Sequence, residues 1–294
     1  MRVKRHHNLK GIVAMVPAVA LFTLMDAGLK LLAPHYPAMQ VTALRSLASL
    51  PLVLALVAWR SSFAAMLEVR WSLNLLRGAL GIAMLAAYVF GLRQLPLTEA
   101  YALFFVAPLL ITALSVPLLG ERVDAARWLA ILVGLSGVLV ILRPSGPGML
   151  TLGGLAVLGA AICYAVSAIA IRIIGRTDSV ESLMFWLISL LAAGSTALAW
   201  PHWQPLRAAD AWVIAGVGIT GFCGQLGVTY AFRNGEASAI APFEYTSLAW
   251  VIGLDRVLWH TTPDRYTLLG AGLIIASGLY LVRRETVHAE AEHP

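Results

Sequence analysis

GLRQLPLTEAYALFFVAPLL (Gly91–Leu110) and AFRNGEASAIAPFEYTSLAW (Ala231–Trp250) begin 140 residues apart and read as one segment written twice. In each, a helix runs out at an x-x-Arg turn (Arg93, Arg233), a short polar connector comes next, and an Ala-rich helix then carries Pro108 or Pro242. LAILVGLSGVLVILR, ending at Arg143, follows the first copy as LGAGLIIASGLYLVR, ending at Arg283, follows the second. Upstream, Phe22 and Lys30 correspond to Tyr164 and Arg172. Helix–turn–helix spacing agrees as well as composition, so the likeness exceeds what any two apolar helices share. The chain reads as an internal duplication.

Around these segments lies little that is polar. Of 294 residues, 60% are hydrophobic and 12% charged, with a mean hydropathy of +0.81. A soluble domain carries about 25% charged residues, so this chain has too few polar side chains to cover a water-facing surface. The same numbers exclude disorder. Crossing a ~30 Å hydrocarbon layer takes about 20 apolar residues. Ten stretches approach that length: Gly11–Leu32, Tyr36–Trp59, Trp71–Leu92, Leu97–Leu119, Arg127–Leu142, Leu152–Ile174, Val180–Trp200, Ala211–Phe232, Ala237–Trp259 and Tyr266–Val282. The fold class expected is an all-α integral membrane protein, ten transmembrane helices arranged as two inverted five-helix repeats around a central cavity. The repeats are assigned to residues 11–144 and 145–284, flanked by cytoplasmic tails at 1–10 and 285–294. Ala18-Val19-Ala20 resembles a signal-peptidase site, but Pro17 interrupts the run before it and apolar residues continue to Leu32, so an uncleaved first helix is expected.

Basic residues set the orientation. With the N-terminus inside, thirteen of the 21 lie at cytoplasmic segments or span ends, five lie opposite, and Lys30, Arg45 and Arg77 fall deeper. The +6 net charge is thus an orientation signal, and no nucleic-acid partner is expected. A multi-pass inner-membrane protein with both termini cytoplasmic is the reading. Five spans per half is an odd number, so the second half enters the membrane upside down, a recurrent architecture of secondary transporters.

On Arg45, on LPLTEAYALFFVAPLL with the later LLGERV, and on AFRNGEASAIAPFEYTSLAW, the sequence resembles the drug/metabolite transporter superfamily, in its ten-helix branch with two EamA-type repeats. The likeness runs from Gly11 to Arg284. It implies a basket of helices around a cavity, moving small metabolites without ATP. Where LLGERV would recur, the second half reads LWHTTPD, so Glu121 has no glutamate counterpart and a paired role for it is not implied.

Ionisable residues in hydrocarbon need a partner or a wet cavity. Asp26 and Lys30 stand at i,i+4 in the first span, either neutralising each other or serving substrate and gate. Arg45 lies too deep in the second span to snorkel; a lock onto Asp26 and direct ligand binding are both open. Arg77, near the cytoplasmic end of the third, reads as an interface or inner-gate residue. Glu244 follows Pro242 at a break where freed carbonyls line a cavity, and is the candidate for proton coupling or amine binding. Glu99 and Glu236 read as helix-start charges. Helical spacing places Arg77, Gly81, Met84 and Tyr88 on one face, and Tyr101, Phe105, Pro108, Thr112 and Ser115 on another. Tyr164 with Ser167, Gln225 with Gly218 and Gly221, and Tyr245 beside Glu244 complete the aromatic and polar faces of a cavity suited to an amphipathic solute. For Gly218 and Gly221 the alternative is close helix packing. Most tryptophans mark span ends; Trp186 and Trp250 lie deeper.

No GxxxxGK[ST], G-x-S-x-G or HExxH occurs, the seven histidines sit in loops or tails, and Cys163 and Cys223 are isolated in apolar runs. No catalytic residue, metal or cofactor is therefore expected. A secondary transporter of small organic solutes, an amino-acid or related metabolite exporter, is the leading reading. An enzyme acting on lipid-linked substrate, a channel, and an exporter of purines or drug-like cations are the alternatives. Partners are the lipid bilayer and a small-molecule substrate, with proton coupling resting on Asp26 and Glu244; both a monomer and a homodimer fit the sequence.

Overall fold

The computed structural model describes residues 2–60, 69–95, 97–121, 124–142, 151–258, 265–266, 268–273, 275–277 and 280. Among them all regular structure is helical. In chain order these are α1 Arg2–Leu32, α2 Ala38–Arg60, α3 Trp71–Gln94, α4 Leu97–Phe104, α5 Ala107–Leu119, α6 Ala125–Leu142, α7 Leu152–Ile174, α8 Val180–Ala199, α9 Ala211–Asn234, α10 Ala237–Ile240 and α11 Ser247–Leu258. A 3-10 segment, Ala241–Thr246, joins α10 to α11. Among the described residues, six helices are long and apolar enough to cross a membrane unbroken: Asn8–Leu32, Ala38–Trp59, Trp71–Gln94, Leu152–Ile174, Val180–His202 and Ala208–Asn234. The first helix begins within the segment assigned to a tail. Helical residues at 265–280 are described in part, and the C-terminal tail lies outside the described residues.

Span four departs from the expected continuous helix, and span nine is broken beside Pro242. Pro108 cannot donate to the Phe104 carbonyl, and its ring crowds that oxygen. The chain therefore turns at Phe105–Val106 and restarts as α5, with proline in the first turn, where helix donors are unpaired anyway. Pro242 does the same at the start of the 3-10 segment. The two breaks meet. Tyr245 Oη donates to the Phe105 carbonyl oxygen (3.2 Å), with the two rings 5.3 Å apart. Phe105 and Tyr245 stand 140 residues apart and are counterparts in the duplication.

Packing obeys the same symmetry. α1 lies along α9 and α3 along α7, two pairings that exchange when the halves are exchanged, while α2 lies along α8, a pairing that maps onto itself. The pseudo-two-fold axis accordingly runs through the α2–α8 contact and near the Phe105–Tyr245 contact. Each half is clasped at its helix ends. Arg93 Nε donates to the Ala33 carbonyl (2.7 Å), Arg93 Nη2 to that of Tyr36, and Lys30 Nζ to that of Leu95 (3.3 Å). In the second half Arg233 Nε donates to the Gly175 carbonyl (3.1 Å) and Arg172 Nη1 to that of Arg233 (2.8 Å). Cations on helix C-terminal carbonyls answer both the unpaired acceptors and the helix dipole. The paired residues Lys30/Arg172, Arg93/Arg233 and Ala33/Gly175 are sequence counterparts.

Close approach depends on absent side chains. A Cβ on Gly218 of α9 would stand 2.5 Å from Ala48 Cβ and 2.9 Å from the Ala48 carbonyl oxygen on α2, whereas one on Gly216 would meet nothing within 4 Å. Gly218→Ala is expected to lower the thermal midpoint in detergent by an amount equivalent to about 1–3 kcal/mol, with Gly216→Ala unchanged. Equal midpoints for the two variants would contradict this packing.

Candidate functional site

A cavity opens between the helices of both halves, with about 1050 Å³ of space between its lining atoms, mouth included. α1 contributes Phe22, Met25 and Asp26, α2 Arg45, and α3 Met84 and Tyr88. From α4 and the break come Tyr101, Phe104 and Phe105, and from α7 Tyr164 and Ser167. α8 gives Leu187 and Leu191, α9 Gln225 and Val228, and the 3-10 segment Glu244. These segments are scattered along the whole chain; the broken helices and the α1–α9 and α3–α7 pairings bring them together.

Its two carboxylates are each held by phenols. Asp26 Oδ2 accepts from Tyr101 Oη (2.6 Å) and more loosely from Tyr88 Oη (3.4 Å). Glu244 Oε1 accepts from Tyr164 Oη (2.9 Å). Both acids are buried, at 8% and 7% exposure, so a charge-assisted bond matters more than it would in water. The pairs use equivalent elements with the chemistry exchanged. In the first half the acid is on the first helix and the phenol on the broken fourth span. In the second half the phenol is on α7 and the acid on the broken ninth. Phe104 stands between them, 5.4 Å from the rings of both Tyr88 and Tyr164.

Several expectations change. Lys30 does not neutralise Asp26; it serves the Leu95 carbonyl. No Asp26–Arg45 ion pair forms within 4 Å: the acid is taken by tyrosines, and Arg45 Nε rests on Met25 Sδ at 2.9 Å. Arg77 does not reach the cavity. It is buried against α8, donating to the Leu183 carbonyl (2.9 Å), and its Nε and Nη2 have no hydrogen-bond partner. Tyr245 also points away from the cavity, to the Phe105 carbonyl and the Gly134 region of α6. The Tyr101 stripe ends at the break, so Thr112 and Ser115 are buried outside the lining. Trp186 packs on Trp71 (4.4 Å) rather than into the cavity, and Trp250 is exposed. Gly221 approaches Met25 and Arg45, and Gly218 approaches Ala48, as helix packing requires. The Glu99 side chain lies outside the described residues.

Phe104 had been passed over: it stands three residues after Tyr101, on the same face of α4, and lines the cavity with it. Glu121, lacking a counterpart, accepts from the Ala237 backbone N–H (2.9 Å) and lies 3.9 Å from Arg172. Glu236 pairs with Arg127 (3.2 Å). Both thus fix the start of α10.

Described residues whose regular structure is all helical, with several apolar spans, two broken helices and a largely apolar cavity holding a few buried ionisable groups, mark a multi-pass membrane protein. The chain belongs to the EamA-like transporter family, whose profile matches residues 9–143 and 151–283. It is similar to the pseudopaline exporter of Pseudomonas aeruginosa, 24% identical over 93% of this chain and 96% of that protein. It is 31% identical to a riboflavin transporter of Rhizobium johnstonii over 72% of this chain and 70% of that protein. An S-adenosylmethionine uptake transporter of Rickettsia prowazekii is 26% identical over 75% and 74%. A solved crystal structure shares the fold, with a TM-score of 0.78 over 96% of this chain and 99% of its own, at 20% identity. The protein is therefore a membrane transporter of small molecules and not an enzyme.

Tyr101→Phe removes the shorter bond to Asp26 and is expected to cost about 1–3 kcal/mol of stability, read as a lowered thermal midpoint in detergent. Thr112→Val is the contrast, because Thr112 Oγ1 is buried without a partner and losing it should be neutral or stabilising. A midpoint lowered by Thr112→Val and untouched by Tyr101→Phe would reverse the assignment.

Proposed function

We propose that this transporter is a secondary carrier that exports an amino-acid-related metabolite across the inner membrane by alternating access, with both termini cytoplasmic. The repeats are residues 11–144 and 145–284. Asp26, Arg45, Tyr88, Tyr101, Phe105, Tyr164, Gln225 and Glu244 form the solute site, and Phe104 joins them. The observation that carries this reading is one cavity, lined by both halves, that holds a guanidinium and two carboxylates among aromatic rings. Hydrocarbon-buried charges of this kind mark substrate pathways, and a site between repeats is where rocking of one half on the other exposes it alternately. Export is supported by the pseudopaline exporter, matched over 93% of this chain; the uptake transporters among the relatives carry other solutes. Asp26 and Glu244 are the acidic residues of the lining, so proton coupling acts through them.

Counterflow in proteoliposomes tests the reading. Vesicles loaded with amino acids, amino-acid derivatives or nucleobases should take up a trace of the labelled counterpart with saturable kinetics, and empty vesicles should not. A proton gradient should drive flux that Asp26→Asn and Glu244→Gln abolish. Gradient-driven flux unchanged in both variants would remove the coupling. Silence toward every class of organic solute, in folded protein, would remove the carrier reading itself.

A further inference from the structure

The charged groups of the cavity form two separated stations. Among the described residues, Arg45 is the one basic member of the lining. Its Nε touches Met25 Sδ, and among the described residues no carboxylate lies within ion-pair distance. Asp26 has its Oδ2 occupied by two hydroxyls. Glu244 accepts from Tyr164, with no described cation beside it and the rings of Tyr164 and Phe104 next to it. A guanidinium with no described carboxylate within ion-pair distance and a carboxylate with no described cation beside it thus face one cavity.

The stations stand at different heights. Asn8 Oδ1 accepts from the Glu236 backbone N–H (2.8 Å), which levels those two residues. Met25, against which Arg45 rests, comes 17 residues later on α1, about 25 Å along the axis at ~1.5 Å per residue. Glu244 comes eight residues after Glu236, which through α and 3-10 turns is about 12–14 Å. The difference is on the order of 10 Å. An α-amino acid holds its nitrogen and carboxyl only about 3 Å apart and reaches one station, not both.

We propose that the solute is an extended zwitterion, with an anionic carboxylate on the Arg45 guanidinium and a cationic nitrogen on Glu244 over the Tyr164 ring. An apolar or aromatic body joins them and passes Phe104. A fork of guanidinium donors suits a carboxylate, and a carboxylate beside aromatic faces suits an organic cation. This inference rests on the carrier reading above and narrows its substrate class to amino-acid derivatives whose charges are far apart.

The test is a ladder of linear ω-amino acids, from γ-aminobutyrate to ω-aminododecanoate, in counterflow on the wild-type protein, with phenylalanine and the matching alkylamines and fatty acids alongside. The expected result is saturable exchange that peaks among the long members. Each single-charge analogue should be weaker by roughly tenfold or more. Glu244→Gln should erase the preference over the fatty acid, and Arg45→Gln the preference over the alkylamine. The ladder is read on unaltered protein, so a variant that fails to fold does not decide the outcome. Preference for phenylalanine over the long members, or equal transport of a single-charge analogue, overturns the proposal. If other solutes exchange saturably and no ω-amino acid does, the extended zwitterion fails while the carrier reading stands. If no organic solute exchanges, both fail.

Discussion

Inside a bilayer no water is at hand to satisfy a backbone carbonyl or a charge, and this constraint organises the whole molecule. At one helix break and at four helix ends among the described residues, another part of the protein supplies the missing partner. The turn at Phe105–Val106 frees a carbonyl, and Tyr245 from the other broken span fills it. The ends of α1 and α3 are answered by Arg93 and Lys30, and those of α7 and α9 by Arg233 and Arg172. Lys30, Arg93, Arg172 and Arg233 are thus a means by which helices end, whereas Arg45 and Arg77 are not.

The duplication makes these solutions economical, because each needs to be invented only once. Clasp residues correspond between halves, and the two breaks touch through residues that are each other's counterparts. The α2–α8 contact, mapped onto itself by the symmetry, is filled by Val53 and Val57 against Val180, Met184 and Ile188. Neighbouring α9 meets α2 more closely, with Gly218 against Ala48.

How much of this the sequence carried depends on the range of the interaction. The duplication and the apolar spans are legible in the order of residues alone, and Pro242 announces one of the two breaks. Which residues line the cavity was legible for Asp26, Arg45, Tyr88, Tyr101, Phe105, Tyr164, Gln225 and Glu244, all rare polar or aromatic groups on apolar helices. Phe104, three residues after Tyr101 on the same helix face, was overlooked, and Tyr245 was not legible. A strict helical period continues through Phe105, whereas the real chain turns there and rotates α5 away from the stripe. Nor could the Asp26–Arg45 lock be judged from charge alone. Opposite charges on adjacent helices are a necessary condition for an ion pair, but Tyr101 and Tyr88 arrive from α4 and α3, which the first two spans do not reveal. Arg77 shows the same limit, since its partner is a backbone carbonyl of α8, and a carbonyl leaves no trace in a side-chain pattern.

Against this symmetric frame the cavity is asymmetric. Had the carboxylate and phenol occupied the same places in both halves, the two ends would present equal chemistry. Instead the acid is on the first helix in one half and on the broken span in the other, one helical turn out of register. Arg45 sits on α2, and the corresponding place in α8 is held near Trp186, which packs on Trp71 outside the cavity. Related halves of this kind can rock between similar shapes, and on the function proposed above the solute meets a different charge at each end. On that reading symmetry serves the motion, and the departures from it serve the choice of solute.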